Sequence, residues 1–312
     1  MIHIEGLTKF YNDFCAVDNI SLDISRGEII GLLGPNGAGK TTTLRMITGY
    51  FQPSSGTIRV KEWDVVENTL EVKKCIGYLP ESAPLYHNMI VYDYLSYVAS
   101  VWGYTEEAGA GRIRKLSDLC GLSDIMHKTI GELSKGLKQR VGIAHAMMSD
   151  PEILILDEPT SGLDPNQIVE IRKIIREIGK EKTIILSTHI LSEAEATCDR
   201  IIIINKGKIV ADGSTETIKR SQDKGTTINL ILKDAVYIAL VSEIKNIDGV
   251  KDVKRNPSDS EDILSISISC DSGKDLREDV YKAIRKHPWI ILEFHQESTS
   301  LENIFRHLTM EN

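Results

Sequence analysis

The sequence has few cysteines, no long apolar run and no targeting segment at its start. Its five cysteines are scattered, with no CxxC pair, which favours free thiols in a reducing compartment over a disulfide framework or a zinc site. The longest apolar runs, such as residues 201–204, are far shorter than the roughly 18 residues that a membrane helix needs. The first residues show no charged region followed by an apolar one. These absences predict a cytosolic protein that does not cross a bilayer by itself.

The sequence also lacks an excess of positive charge. The net charge is -8, and no basic arm is present. This balance argues against nucleic acid as the main partner. With 312 residues, of which 41% are hydrophobic, the chain is long enough for one large domain or for a main domain with an appendage.

Hydrophobic periodicity predicts an α/β domain in the first two thirds of the chain. Residues 1–33 and the segment SGTIRV predict short strands, and residues 82–150 predict helices with the loop TEEAGAGR between two of them. The apolar segments 152–156, 183–187 and 200–204 alternate with helices, which is typical of a parallel sheet covered on both faces.

The ends of this α/β pattern are also marked in the sequence. The helix that follows residues 152–156 has Asp164 as a predicted N-cap and Pro165 at its first position, and four isoleucines then line one face. The segment IINKGKIVADG predicts a hairpin that closes the domain. We therefore place the first domain at residues 1–218.

A second pattern follows the polar segment 219–227. The segments INLIL, VKDVKR, ILSISISC and IILEF predict strands, and two apolar helical faces lie between them in the order βαββαβ. That order predicts a smaller ferredoxin-like α+β domain at residues 226–312. Thr299 and Glu302 are spaced as a capping box at the start of a last helix.

The segment GPNGAGKTT, residues 34–42, fits the pattern G-x-x-x-x-G-K-[ST] between an apolar strand and a helical segment. Glycines let the backbone N–H groups surround phosphate oxygens, and the helix N-terminus favours an anion. Lys40 would reach the β- and γ-phosphates, and the Thr41 hydroxyl would bind Mg²⁺. A glycine turn that matches by chance is the alternative. The predicted nucleotide-binding residues of this loop are Asn36, Gly37, Ala38, Gly39, Lys40, Thr41 and Thr42.

Two adjacent acids follow the buried strand of the segment ILILDEP. Asp157 and Glu158 lie at the carboxyl end of that strand, where open α/β sheets bind ligands. Asp157 is the predicted partner of Mg²⁺, and Glu158 is the predicted general base that polarises the attacking water. A solvated loop with two acids that have no role is the alternative. His189 ends the next strand, and it is either structural or a contact to the γ-phosphate.

Taken together, the segments GPNGAGKT, LSKG, LILDEP, SGLD and STH resemble the motif set of the ATP-binding cassette (ABC) ATPases, over residues 1 to about 218. The resemblance implies a P-loop NTPase cassette with a β-subdomain, a RecA-like core and a helical subdomain at about residues 82–150. It also implies ATP and Mg²⁺ as cofactors, hydrolysis of ATP, and a homodimer of cassettes that closes on ATP.

The segment LSKG stands where this family has its signature motif, usually LSGGQ. The resemblance implies that Ser134 and the N–H of Gly136 contact the γ-phosphate bound by the other copy, and that a side chain at position 136 would block this approach. A helix cap of purely local importance is the alternative. Lys135 replaces the first glycine of the pair and Leu137 stands where glutamine is common, so the details of the contact differ from the family pattern.

Three more positions follow from the resemblance. Glu81 stands where the family usually has a glutamine. The resemblance implies that its carboxylate is an oxygen ligand of Mg²⁺. Tyr11 matches the aromatic residue that stacks on adenine; a nearby phenylalanine in this role or a core tyrosine is the alternative. Asp164 of SGLD would lie at the contact between the two cassettes.

In ABC transporters the helical region receives a coupling helix from the membrane subunit, so the resemblance implies a partner groove within residues 82–132. Ordinary helical core is the alternative for most of its apolar side chains. The candidates for the groove are Leu85, Tyr86 and Met89, and those for the core are Tyr92, Leu95 and Val98.

The C-terminal residues 226–312 resemble the accessory domain of single-cassette ATPases that serve ABC-2-type exporters, including the gliding-motility type. Regulatory ligand sensing and stabilisation of the dimer are both open for this domain. The resemblance implies an ATP-hydrolysing subunit on the cytoplasmic face of the membrane, which drives a separate transmembrane permease and binds no nucleic acid directly. The alternatives are a soluble ABC ATPase acting on the ribosome, an importer subunit and a non-catalytic binding module.

Overall fold

The computed structural model describes residues 1–221, 227–257, 262–271, 275–297 and 301–310. The chain forms two compact units, Met1–Thr215 and Glu216–Met310, and each has its own sheets and core. Among the residues described, no helix has both the length and the apolar character needed to span a bilayer.

The first unit contains two sheets. An antiparallel sheet has the order β2-β1-β4-β5, and a six-stranded sheet has the order β10-β9-β3-β8-β7-β6, in which all neighbours except β10 and β9 are parallel. The strands are β1 (Ile2–Tyr11), β2 (Phe14–Ile24), β3 (Ile29–Leu33), β4 (Ser55–Val60), β5 (Trp63–Asp64), β6 (Ile76–Leu79), β7 (Ile153–Leu156), β8 (Thr183–Thr188), β9 (Arg200–Asn205) and β10 (Lys208–Gly213).

The central strands are buried along their whole length, as the uninterrupted apolar segments predict. All residues of β3, β7 and β8 are buried, which is possible because helices cover both faces of a parallel sheet. The predicted hairpin is confirmed as β9 and β10. The prediction of short strands in residues 1–33 is wrong for the first two, because β1 and β2 span 10 and 11 residues and pair along most of their length.

The helices of the first unit are α1 (Lys40–Ile47), α2 (Thr69–Cys75), α3 (Val91–Val101), α4 (Glu106–Cys120), α5 (Lys135–Ala146), α6 (Pro165–Gly179) and α7 (Leu191–Thr197). Helix α6 begins as predicted, because the Asp164 side chain accepts a hydrogen bond of 2.9 Å from the backbone N–H of Gln167, and Pro165 occupies the first turn. Its isoleucines Ile171, Ile175 and Ile178 are buried.

The loop predicted at TEEAGAGR is wrong, because this segment forms the start of α4. The side chain of Thr105 caps the helix by accepting a hydrogen bond from the N–H of Ala108. Gly109 is buried, and a Cβ there would lie 3.3 Å from Cβ of Ala99 in α3. A glycine that a sequence pattern marks as a break thus allows two helices to pack closely.

Two further expectations for the helical region are wrong. Tyr92, predicted to be core, is exposed, because the buried positions of α3 lie on its other face. Leu85, predicted for a partner groove, is buried in the segment before α3, where no helical period could indicate its direction. The core prediction for Leu95 and Val98 is confirmed.

The second unit has one antiparallel sheet with the order β12-β13-β11-β14. With its helices this is the predicted ferredoxin-like arrangement βαββαβ. The capping box proposed for Thr299 lies outside the described residues. The elements are α8 (Thr215–Ser221), β11 (Thr227–Lys233), α9 (Tyr237–Ile244), β12 (Val250–Asn256), β13 (Ile263–Cys270), α10 (Arg277–Ile284), β14 (Ile290–Glu297) and α11 (Leu301–Met310).

The alternation in ILSISISC decides which face of this sheet is the core. Leu264, Ile266, Ile268 and Cys270 are buried in one cluster, and the serines between them are not. This is the period of two that a half-buried strand requires.

Candidate active site

The glycine-rich loop connects the end of β3 to the start of α1, and two of its glycines are required by close backbone contacts. A Cβ on Gly34 would lie 2.3 Å from the carbonyl oxygen of Ile204, and a Cβ on Gly39 would lie 2.5 Å from that of Ala16. Gly39 also has a φ of +109°, which side chains rarely adopt. The loop therefore keeps its tight course only with glycine at these positions.

The ammonium group of Lys40 is buried inside this loop. Its Nζ donates hydrogen bonds to the carbonyl oxygens of Gly34 at 2.8 Å and Pro35 at 3.2 Å, and it lies 3.3 Å from Oε1 of Glu158. The lysine is 5% exposed. A buried charge needs such partners, so the site holds a positive group in place beside the loop.

Asp157 follows the last residue of β7 and is fully buried. Its Oδ1 accepts hydrogen bonds from the hydroxyl of Thr41 at 3.0 Å and from that of Ser187 at 2.6 Å. Its Oδ2 is buried and has no hydrogen-bond partner among the described residues. A buried carboxylate oxygen without a donor is costly, and a bound cation would satisfy it.

Glu158 has a strained backbone and a paired side chain. Its φ is +49°, a left-handed conformation that costs a non-glycine residue roughly 1–3 kcal/mol. Its N–H donates to the hydroxyl of Ser187 at 2.8 Å, and its carbonyl oxygen accepts from the N–H of Ser161 at 3.1 Å. Its Oε2 lies 2.8 Å from Nδ1 of His189. Strain held by several bonds is typical of a functional position.

These groups surround a cleft of about 430 Å³. Its wall combines the glycine-rich loop, one carboxylate of the acidic pair and two exposed aromatic rings. The residues that line it are Tyr11, Phe14, Ala16, Asn36, Gly37, Ala38, Gly39, Lys40, Thr41, Thr42, Glu81, Glu158, Ser161 and His189.

Most residues predicted for the site therefore meet in one place. Tyr11, Glu81 and His189 line the same cleft as the glycine-rich loop, and Asp157 is hydrogen-bonded to Thr41 in its wall. Ser134 and Gly136 are not among the described residues that line it. The structure of a single chain thus brings together one part of the predicted set and leaves the signature segment outside.

The signature segment packs against the SGLD segment of the same chain. The Ser134 hydroxyl caps α5 by accepting from the N–H of Leu137 at 3.3 Å. A Cβ on Gly136 would lie 2.6 Å from Cδ of Gln167, and one on Gly162 would lie 2.6 Å from Nζ of Lys135. The bare backbone at Gly136 thus lies against the end of the Gln167 side chain of the same chain, a contact that the sequence did not indicate.

The sequence analysis missed a set of buried hydroxyl and carboxyl groups behind the cleft. Ser187 bonds both Asp157 and the N–H of Glu158. Thr160 and Thr188 both donate to the buried carboxylate of Glu193. The signal available for them was the change from isoleucine to serine and threonine at the end of β8, because a buried strand rarely ends in polar residues without partners.

A glycine-rich loop between a parallel strand and a helix, with an acid at the end of a neighbouring strand, defines a P-loop nucleoside triphosphatase. Comparison with known proteins makes the class narrower. The family model described as ABC transporter matches residues 17–161. A second model, described as AAA domain, putative AbiEii toxin, Type IV TA system, matches residues 129–194.

Two curated relatives match almost the whole chain. The uncharacterized ABC transporter ATP-binding protein YxlF of Bacillus subtilis is 34% identical over 305 residues, which are 98% of each chain. The linearmycin resistance ATP-binding protein LnrL of Bacillus subtilis is 33% identical over 312 residues, 99% of this chain and 98% of that one. A solved structure, the ATP binding subunit of an ABC transporter, has a TM-score of 0.64 and 31% identity over 71% of this chain and 92% of its own. The chain belongs to the ATP-binding subunits of ABC transporters, and it is an ATPase of that class.

Proposed function

We propose that this subunit binds Mg²⁺ and ATP in the cleft, closes with a second copy, and drives a separate transmembrane permease that exports its substrate. In this proposal residues 1–218 are the cassette and residues 226–312 are an accessory domain, and the chain works at the cytoplasmic face of the membrane. The observation that carries it is that the glycine-rich loop, Glu158 and His189 line one cleft, with Asp157 hydrogen-bonded to Thr41 in its wall.

The residues present fit a magnesium ion. The Thr41 hydroxyl is bonded to Asp157, whose Oδ2 is buried without a partner among the described residues, and Glu81 lines the same cleft. Mg²⁺ is held in such sites by one or two carboxylates together with phosphate oxygens. When bound, the ion would neutralise charge on the phosphate oxygens.

The side chains around the phosphate position divide the chemistry between them. Lys40 provides a fixed positive charge for the β- and γ-phosphates once its loop carbonyls give way to phosphate oxygens. Glu158 polarises the attacking water, and His189, bonded to the same carboxylate, orients it and contacts the γ-phosphate. Because these groups are already in position before the substrate binds, the reaction needs little reorganisation of the site.

A second copy supplies the remaining contacts. Ser134 and Gly136 lie outside the cleft of their own chain in the part of the structure that is described, so the family's contact to the γ-phosphate needs another chain. They lie at the N-terminus of α5, where anions are favoured. ATP bound between two copies favours the closed dimer, and its hydrolysis removes this preference.

The exporter part of the proposal rests on the full-length relative and on an aromatic surface. LnrL, named for linearmycin resistance, matches both units of this chain. In the helical region Tyr86, Tyr97 and Trp102 are 52%, 46% and 42% exposed, and the rings of Tyr86 and Tyr97 lie 5.7 Å apart. Exposed aromatic clusters mark protein interfaces, so we place the permease contact here.

The proposal is tested with Glu158→Gln. We expect ATP turnover to fall at least about 100-fold, because a general base contributes about 10² to 10⁴. ATP binding stays, and sedimentation shows a dimer in the presence of ATP and a monomer without it. Glu181→Gln, at an exposed position, is the control. Wild-type turnover in Glu158→Gln would overturn the assignment.

The partner is tested by purifying Glu158→Gln with ATP from gently solubilised native membranes. We expect a polytopic membrane protein at equal stoichiometry, and its loss when Tyr97 is changed to arginine. Recovery of ribosomal proteins instead would leave the proposed ATP hydrolysis standing and would overturn the proposed permease partner.

A further inference from the structure

Behind the cleft, a single buried carboxylate connects the two segments that carry the proposed catalytic residues. Glu193 lies in α7 and is 4% exposed. Its Oε2 accepts hydrogen bonds from the hydroxyl groups of Thr160 and Thr188, the latter at 3.2 Å. The residue does not line the cleft, so it has no direct contact to a nucleotide there.

Each threonine stands next to one member of the Glu158–His189 pair. Thr188 directly precedes His189, and its Oγ1 also accepts the N–H of Ile190 at 3.0 Å, so the chain is held on both sides of the histidine. Thr160 follows Glu158 by two residues in the segment that leads to SGLD. The carboxylate of Glu193 therefore fixes the relative position of two loops that belong to different strands.

The backbone of Glu158 needs such fixation. Its φ of +49° is unfavourable for a side-chain-bearing residue, and the bonds to Ser187 and Ser161 hold its N–H and carbonyl groups. The hydrogen bond from Thr160 to Glu193 restrains the segment that follows Glu158. This segment would have to move if the backbone of Glu158 relaxed to an ordinary conformation.

We propose that Glu193 is a positioning residue, which acts through Thr160 and Thr188 to keep Glu158 and His189 within hydrogen-bonding distance. The inference rests on the proposed roles of Glu158 and His189. It predicts that the network affects kcat and leaves ATP binding unchanged, because a small displacement of a positioned group slows the chemical step.

Thr160→Val and Thr188→Val test this, since each removes one hydroxyl and keeps the branched shape. We expect kcat for ATP to fall about tenfold in each, with KM changed less than twofold. Thr197→Val is the matched control and should keep wild-type kcat. Thr197 is a buried threonine in α7, the helix of Glu193. Glu193→Ala should lower kcat more than either valine variant does. If Glu193→Ala fails to fold, the two valine variants still test the inference.

A readout that a merely structural role would not move comes from the Glu158→Gln background. If Thr160 acts through Glu158, Thr160→Val lowers the residual rate of Glu158→Gln no further, because residues acting as one unit are not additive. Wild-type kcat in both valine variants, or an equal further loss caused by Thr160→Val in the Glu158→Gln background, would overturn the inference. Wild-type turnover in Glu158→Gln itself would instead reject the proposed function, so the two failures are distinguishable.

Discussion

The interiors of the two units differ in chemistry. Within the described residues, every buried polar or charged side chain belongs to the first unit, and several lie at the ends of β7 and β8. Asp157, Glu158 and Ser187 lie there, and the buried Glu193 lies in α7. The core of the second unit consists of apolar side chains such as Ile228, Leu230 and Ile266.

The apolar core of the second unit needs only packing to explain it, whereas the polar interior of the first unit needs a functional explanation. An apolar core is explained by the burial of its own surface, and nothing else needs to bind to it. Buried carboxylates and hydroxyls cost free energy unless they have partners, and Oδ2 of Asp157 and Oε1 of Glu193 are without one among the described residues. The first unit therefore carries polar burial that ligand binding can use, so substitutions in the two interiors should affect different properties.

The largest effect on stability is expected in the apolar core of the second unit. Ile266→Ala removes a fully buried side chain from β13, one of the two central strands of this sheet, and such a change costs about 2–5 kcal/mol. Hydrogen exchange should become faster in β11 and β13, and ATP affinity, measured by calorimetry, should not change. Ser269→Ala, on the other face of the same strand, is the control. A loss of ATP affinity in Ile266→Ala would break the separation of the two interiors.

The next effect is expected on binding, in the first unit. Lys40→Met removes the ammonium group that three oxygens contact, and ATP should bind about 10- to 100-fold more weakly, since a hydrogen bond to a charged group contributes about 1.5–3 kcal/mol. Exchange in β11 and β13 should stay at the wild-type rate. Lys180→Met, at an exposed position directly after α6, is the control. Wild-type affinity in Lys40→Met would mean that the cleft does not bind the phosphates.

Local signals in the sequence were sufficient for much of this fold. The alternation of Leu264, Ile266 and Ile268 with serine determines both the strand and its buried face, because the period of two is a property of the backbone. The glycine-rich loop was also predictable, since its spacing satisfies a phosphate by local geometry alone. For β13 the neighbours in sequence decide the structure, and the predicted strand and its buried face are confirmed.

Contacts between distant segments were not predictable in this way. Gly109 lies inside α4 and leaves room for Ala99 of another helix, whereas a pattern of glycines in the sequence indicates a loop. Thr160 and Glu193 are 33 residues apart, and only the fold brings their side chains together. For Gly136 the sequence suggested contact with a second chain, and the structure adds contact with Gln167.

The smallest effect concerns acid and the first unit. Burial lowers the pKa of His145 from its ordinary value of 6.5, and its Nδ1 lies 2.5 Å from the Tyr94 hydroxyl. The unfolded chain then binds a proton more readily than the folded one, so the stability that neutral His145 provides is present above pH 6.5 and is lost as the pH falls towards the lowered pKa. In the second unit, by contrast, His287 and His295 lie within ion-pair distance of Glu243 and Glu293.

Acidification from pH 7 to pH 5 should therefore reduce protection against hydrogen exchange in α3 and α5 of the first unit. His145→Gln keeps a polar partner for Tyr94 and cannot titrate in this range, so its loss of protection should be smaller than that of the wild type. His127→Gln replaces an exposed histidine and should behave as the wild type does. Equal losses of protection in wild type and His145→Gln would show that burial of this histidine contributes nothing to the acid response. The polar interior of the first unit would then affect nucleotide binding and not the response to acid.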